Sequence, residues 1–203
     1  MASSKDAVFG NVTPELVRAL LKEHPQNIAN LARKAVAKLV KASTVKGALK
    51  QGTHQPVLNS AALLSRLLPV LFEGEKDHHF VETVFWKGDL PSPAASSDGK
   101  QNAVSEVVPA DSTKEPLAAP LMDAILALLF KQEFTCSGAS DTAVWEGGMG
   151  GGAGGGKGSV YDAARAEMLK LLLVTCSETL FVTPGVQPSA PFRRPFHTPH
   201  PPP

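Results

Sequence analysis

The chain reads as an all-α protein built of stacked helical pairs, and three observations predict it. Apolar residues recur at three- and four-residue spacing in successive segments of helical length. Capping residues and prolines punctuate the ends of those segments. The later segments are apolar around most of their circumference, so they need neighbours on several sides, as in solenoids of the HEAT or armadillo kind. No repeat of fixed period is visible, so no named repeat class is assigned.

The first helix is "TPELVRALLKEHP": Thr13 is placed to cap it, Pro14 suits its first position, Glu15 favours the dipole, and Pro25 stops it. A second follows at once. In "QNIANLARKAVAKLVKAS", Ile28, Leu31, Ala32, Ala35, Val36 and Leu39 form the apolar stripe, while Arg33, Lys34, Lys38 and Lys41 take the other side. The third, "PVLNSAALLSRLLPVLFEG", has too many apolar residues for one stripe and should be largely buried, with Pro69 kinking or ending it. "FVETVFWKG" is ambiguous between helix and extended chain, with a lean to helix.

The fourth helix, "PLMDAILALLFKQEF", leaves only Asp123, Ala127 and Lys131 as a thin polar or small side. The fifth, "YDAARAEMLKLLLVTCSETLF", leaves Glu167, Lys170, Ser177 and Glu178 as a narrow wet stripe; everything else in it calls for cover. The expected organisation is therefore a disordered residue 1–10 segment, a helical domain over 11–182, and a disordered Pro-rich tail over 183–203. Disordered insertions are expected near 90–116, where Pro, Ser, Ala and acids prevail, and near 147–158, where glycine does.

Charge and cysteine content exclude several classes. A formal net charge of +1 gives no global field for nucleic acid. The amino terminus has no apolar signal-peptide core, and no uninterrupted apolar run approaches the roughly 20 residues of a membrane span. Cys136 and Cys176 form no CxxC pair; they read as ordinary buried thiols of a reducing compartment.

Chemical motifs are sparse. Gly151 and Gly156-Lys157 nearly spell the phosphate loop G-x-x-x-x-G-K-[ST], the basis of an alternative reading as a nucleotide-dependent enzyme using Lys157. Gly158 stands where magnesium needs Ser or Thr, and a glycine-rich tract matches such a pattern by chance, so a linker is the better account. Asp77, His78 and His79 lack a second ligand pair and read as a solvated loop rather than a metal site. No nucleophile elbow occurs; the sequence offers no catalytic, cofactor-binding or metal residues, and the expectation is a non-enzyme without cofactor or small-molecule substrate.

One electrostatic feature stands out. No acidic residue lies between Glu23 and Glu73, while Arg33, Lys34, Lys38, Lys41, Lys46, Lys50 and Arg66 all fall inside. A solvated basic helix face accounts for this blandly. The sharper expectation is a docking surface for an anionic membrane or an acidic protein partner, with Arg33, Lys34, Lys38 and Lys41 as contacts, each worth about 1 kcal/mol near anionic lipid. Nucleic acid is disfavoured because no aromatic residue precedes Phe72 in the segment to stack bases. Oligomeric state is left open.

Taken in order, "VFGNVTPELVRALLKEHPQNIANLARKAVAKLV", "VLNSAALLSRLLPVLFE", "PLMDAILALLFKQEFT", "VWEGG" and "RAEMLKLLLVTCSETLF" resemble the amino-terminal region of the Hid-1/dymeclin family of high-temperature-induced dauer-formation proteins. The resemblance covers roughly residues 8–182. It implies a non-enzymatic helical protein, cytoplasmic and peripheral to Golgi or trans-Golgi membranes, acting in vesicle trafficking and in sorting cargo for secretion. Family members are several times longer, so the expectation is a fragment or a truncated product, a non-functional one being an alternative. Animal members begin Met-Gly as myristoylated proteins do; Ala2 does not match, so acylation is not carried over.

Overall fold

The computed structural model describes residues 12–73, 79–89, 115–136 and 161–181. Among the described residues are six α-helices, α1 (Pro14–Glu23), α2 (Pro25–Ser43), α3 (Gln51–Glu73), α4 (Ala118–Leu129), α5 (Asp162–Cys176) and α6 (Glu178–Phe181), with a π-helical turn at Glu82–Lys87 between α3 and α4. No strand occurs among the described residues; Gln132 and Cys136 make one isolated bridge. The expected amino-terminal segment, the tail, the glycine tract with Lys157, and nearly all of the 90–116 insertion lie outside the described residues.

α1 begins where its cap predicts. The Thr13 hydroxyl accepts a 3.3 Å hydrogen bond from the Leu16 amide, satisfying one of the donors a helix start leaves orphaned. The single residue His24 separates α1 from α2, and the His24 amide closes on the Leu20 carbonyl at 2.8 Å. Pro25 ends one helix and opens the next.

α3 departs from expectation in its early start, and of the two readings of Pro69 it excludes the ending. It starts five residues before Pro56 and runs through Pro69 to Glu73 without ending. A proline inside a helix costs about 3 kcal/mol. Leu67, Leu68, Val70, Leu71 and Phe72 are buried around Pro69, and each such side chain gains about 1.5–3 kcal/mol on burial, so packing outweighs the lost donor.

"FVETVFWKG" is helical, wound in the wider π geometry. Lys87 Nζ meets Glu82 Oε1 at 2.9 Å, five residues back, which suits i→i+5 winding. Gly88 closes the turn in the left-handed region (φ 76°), where only glycine sits without a Cβ penalty, and its amide donates to the Thr83 carbonyl.

α4 ends at Leu129, earlier than the fourth segment suggested. The Thr135 hydroxyl donates to the Leu128 carbonyl at 2.7 Å and accepts from the Lys131 amide at 3.0 Å, so this side chain substitutes for the next helical turn. Lys131 is not on a wet side but buried. Its ammonium donates to the Ser43 carbonyl at 3.2 Å and to the Val45 carbonyl, capping the negative end of α2.

The helices close a ring. α2 packs on α3 and α4, and α5 packs on the same two, so α2 and α5 occupy opposite corners; α1 covers α2 and α3, and α6 lies on α3. Ala29, Ala32, Leu39, Leu64, Leu68, Leu71, Leu121, Ile125, Leu128, Met168 and Leu171 fill the centre. Phe134 reaches this core from the turn after α4 and meets the His54 ring edge-on at 5.3 Å.

Three expectations about individual residues are corrected. Glu178 is buried rather than wet, because α6 folds back onto α3. Cys176 is exposed, sitting on the outward side of α5, whereas Cys136 is buried as expected. Leu169, Leu173 and Leu180 lack the cover that the fifth segment called for.

Candidate functional site: the lysine face of α2

α2 buries Ile28, Ala29, Ala32, Ala35, Val36, Leu39 and Ala42 against the ring. That commitment fixes what is left outside. Lys34, Lys38 and Lys41, at spacings of four and three, fall on one exposed stripe spanning about 10 Å along the helix axis. None makes an ion pair or hydrogen bond among the described residues. α2 carries no acid, so nothing on the helix itself neutralises the stripe. Lys46 and Lys50 are exposed beyond its end.

Arg33 has a different place. Its guanidinium lies on the flank between core and solvent, 2.5 Å from the Gly88 carbonyl and 3.3 Å from that of Asp89. Burial pulls it below its ordinary value, and the Asp89 charge opposes this. Arg33 thus fastens the π-helical turn to α2, while the three lysines face outward. Sequence periodicity groups the four together; only the contact with Gly88, 55 residues on, separates them.

A second feature is the joint where the turn after α4 meets the starts of α3 and α5. A cleft of about 410 Å³ opens there, lined by Leu49, Gln51, His54, Leu58, Glu133, Phe134, Tyr161, Ala163 and Ala164. Its polar groups serve the joint: the Tyr161 hydroxyl donates to Glu133 at 3.1 Å, and His54 Nε2 donates to the Leu49 carbonyl at 3.0 Å. Arg165 Nε adds a 2.6 Å bond to the Thr135 carbonyl. Among the described residues no group of three or more His, Cys, Asp or Glu could hold a metal ion. His79 is exposed, 3.8 Å from Glu82, while Asp77 and His78 lie outside the described residues.

A closed ring of helices, with a row of exposed lysines on α2 among the described residues, defines the chain as an all-α helical protein. The chain belongs to the family of high-temperature-induced dauer-formation proteins, whose model matches residues 1–194. It is 32% identical over 199 residues to Protein HID1 of Homo sapiens, an alignment covering 91% of this chain and 24% of that protein; Protein HID1 of Mus musculus gives the same figures. The chain therefore spans about a quarter of the length of these relatives. No solved structure matches it. No helix among the described residues is long and apolar enough to cross a membrane.

Proposed function

We propose that the chain is a non-enzymatic helical scaffold of the Hid1 type that works in vesicle trafficking and cargo sorting at Golgi or trans-Golgi membranes, docked peripherally through α2. The Golgi setting rests on membership of the family. The docking rests on one observation: Lys34, Lys38 and Lys41 are exposed and aligned, with no acid on their helix. Each lysine at an anionic surface contributes about 1 kcal/mol, so three together shift partitioning by roughly 10²-fold. Their spacing along the stripe suits several separate headgroups rather than one chelated phosphate. Arg33 leaves the contact set and acts from inside the fold.

Localisation of the fluorescently tagged chain tests this. Wild type should concentrate at Golgi membranes, and Lys34→Glu/Lys38→Glu/Lys41→Glu should disperse it at unchanged expression. Identical distributions of the two would overturn the docking role of α2.

A further inference from the structure

On the corner opposite α2, α5 and α6 present an uncovered apolar surface. Leu169 is 41% exposed, Leu173 68% and Leu180 79%. Leu169 and Leu173 are four residues apart and share one helical face of α5, and Leu180 is exposed on α6 past the break at Ser177. Between Leu171 and Phe181 the only charged residue is Glu178, and it is buried, so no long charged side chain of that stretch covers Leu173 or Leu180. The neighbouring Lys170 is held by Glu167 at 3.0 Å.

We infer that this face is a helix-docking surface, and that its occupant is an apolar helix from the part of Hid1-type proteins that follows the aligned region. The relatives supply the reason. The chain aligns to their amino-terminal part and covers 24% of them, leaving most of their length to follow. A stack of helices grows by laying the next apolar stripe on the last one. A membrane is a poor occupant, because this corner has no free cation beside the leucines, unlike α2. A second copy is also poor: a stable interface needs roughly 800 Å² per partner, and three exposed leucines supply only a small part of it. In the longer relatives such a helix is tethered and needs no such area, since linkage gives it a high effective concentration.

The inference rests on family membership and not on the membrane reading, and the experiment keeps the two apart. Overlapping synthetic peptides tiling human Protein HID1 beyond the aligned region are titrated with the full 203-residue chain and followed by fluorescence anisotropy. At least one peptide should bind, Leu173→Glu should weaken it at least about tenfold, and Lys34→Glu/Lys38→Glu/Lys41→Glu should leave it unchanged. Leu173 is mostly exposed, so its variant should melt like wild type by circular dichroism; Leu180→Glu provides an independent second variant. Absence of any bound peptide, or binding indifferent to both leucine variants, would overturn the inference. So would a dimer in sedimentation velocity that Leu173→Glu dissolves, because the occupant would then be a second copy.

Discussion

Neighbouring basic residues on α2 have unlike roles, and the difference is set by where the helix face turns. Lys34 points into solvent, whereas Arg33, 100° around the helix, reaches the Gly88 carbonyl. Arg33→Ala should therefore lower stability by about 1–2 kcal/mol, the loss of a charge-assisted bond to a half-buried carbonyl, while Lys34→Ala should stay within about 0.5 kcal/mol. Urea midpoints at constant slope would check both. Lys131 resembles Arg33 in this respect: Lys131→Met keeps the aliphatic stem but uncaps the end of α2, at a cost of about 1–2 kcal/mol in the same assay. At the other end of the chain, Thr13→Ala removes a helix cap and should cost about 1 kcal/mol. Glu15 beside it titrates below its ordinary value, held there by its backbone hydrogen bond and by the Thr13 hydroxyl. A lowered folded-state value means that its contribution is present above the usual carboxylate range and is lost as pH falls through the lowered value. Melting curves below pH 5 should accordingly show a shallower acid dependence for Thr13→Ala than for wild type.

At the scale of elements, α3 is the informative case. Its two internal prolines leave Gly52 and Ser65 carbonyls without the amide that would otherwise return to them, yet the helix continues. Pro69→Ala restores the donor, and it should raise the urea midpoint, a stabilisation on the order of 1 kcal/mol. A lower midpoint would show instead that the helix has adapted its packing to the proline ring. α1 and α2 were legible in the sequence because their signals are local: Thr13, Pro14 and Pro25 act within one turn of themselves. The passage through Pro69 was legible only as one of two alternatives, because what sustains it is the burial of Leu67, Leu68, Val70, Leu71 and Phe72. The turn after α4 was hidden for a similar reason. Lys131 earns its buried position from carbonyls 86 and 88 residues away, and no window on the sequence contains both ends of that contact. The lysine stripe itself was readable from spacing and from the absence of acids, whereas the removal of Arg33 from it required the π-helical turn to be in place. The apolar side of α5 was readable as a demand for cover; which leucines stay uncovered depended on which faces α3 and α4 had already taken.

For the whole molecule, the ring of helices puts two unlike surfaces at opposite corners, a cationic one on α2 and an apolar one on α5 and α6. The proposed membrane contact and the inferred helix-docking face would then lie on opposite sides of the ring. The central claim is that Lys34, Lys38 and Lys41 bind an anionic bilayer, and co-sedimentation of the purified chain with liposomes tests it most directly. Neutral vesicles, vesicles with phosphatidylserine, wild type, Lys34→Glu/Lys38→Glu/Lys41→Glu and Arg33→Lys are compared at low and physiological salt. The prediction is recovery of wild type and Arg33→Lys with anionic vesicles alone, weakened by salt, and loss of at least roughly 10²-fold in partitioning for the triple variant, which reverses the charges. Equal recovery of wild type with neutral and anionic vesicles, or no effect of the triple variant, would contradict it.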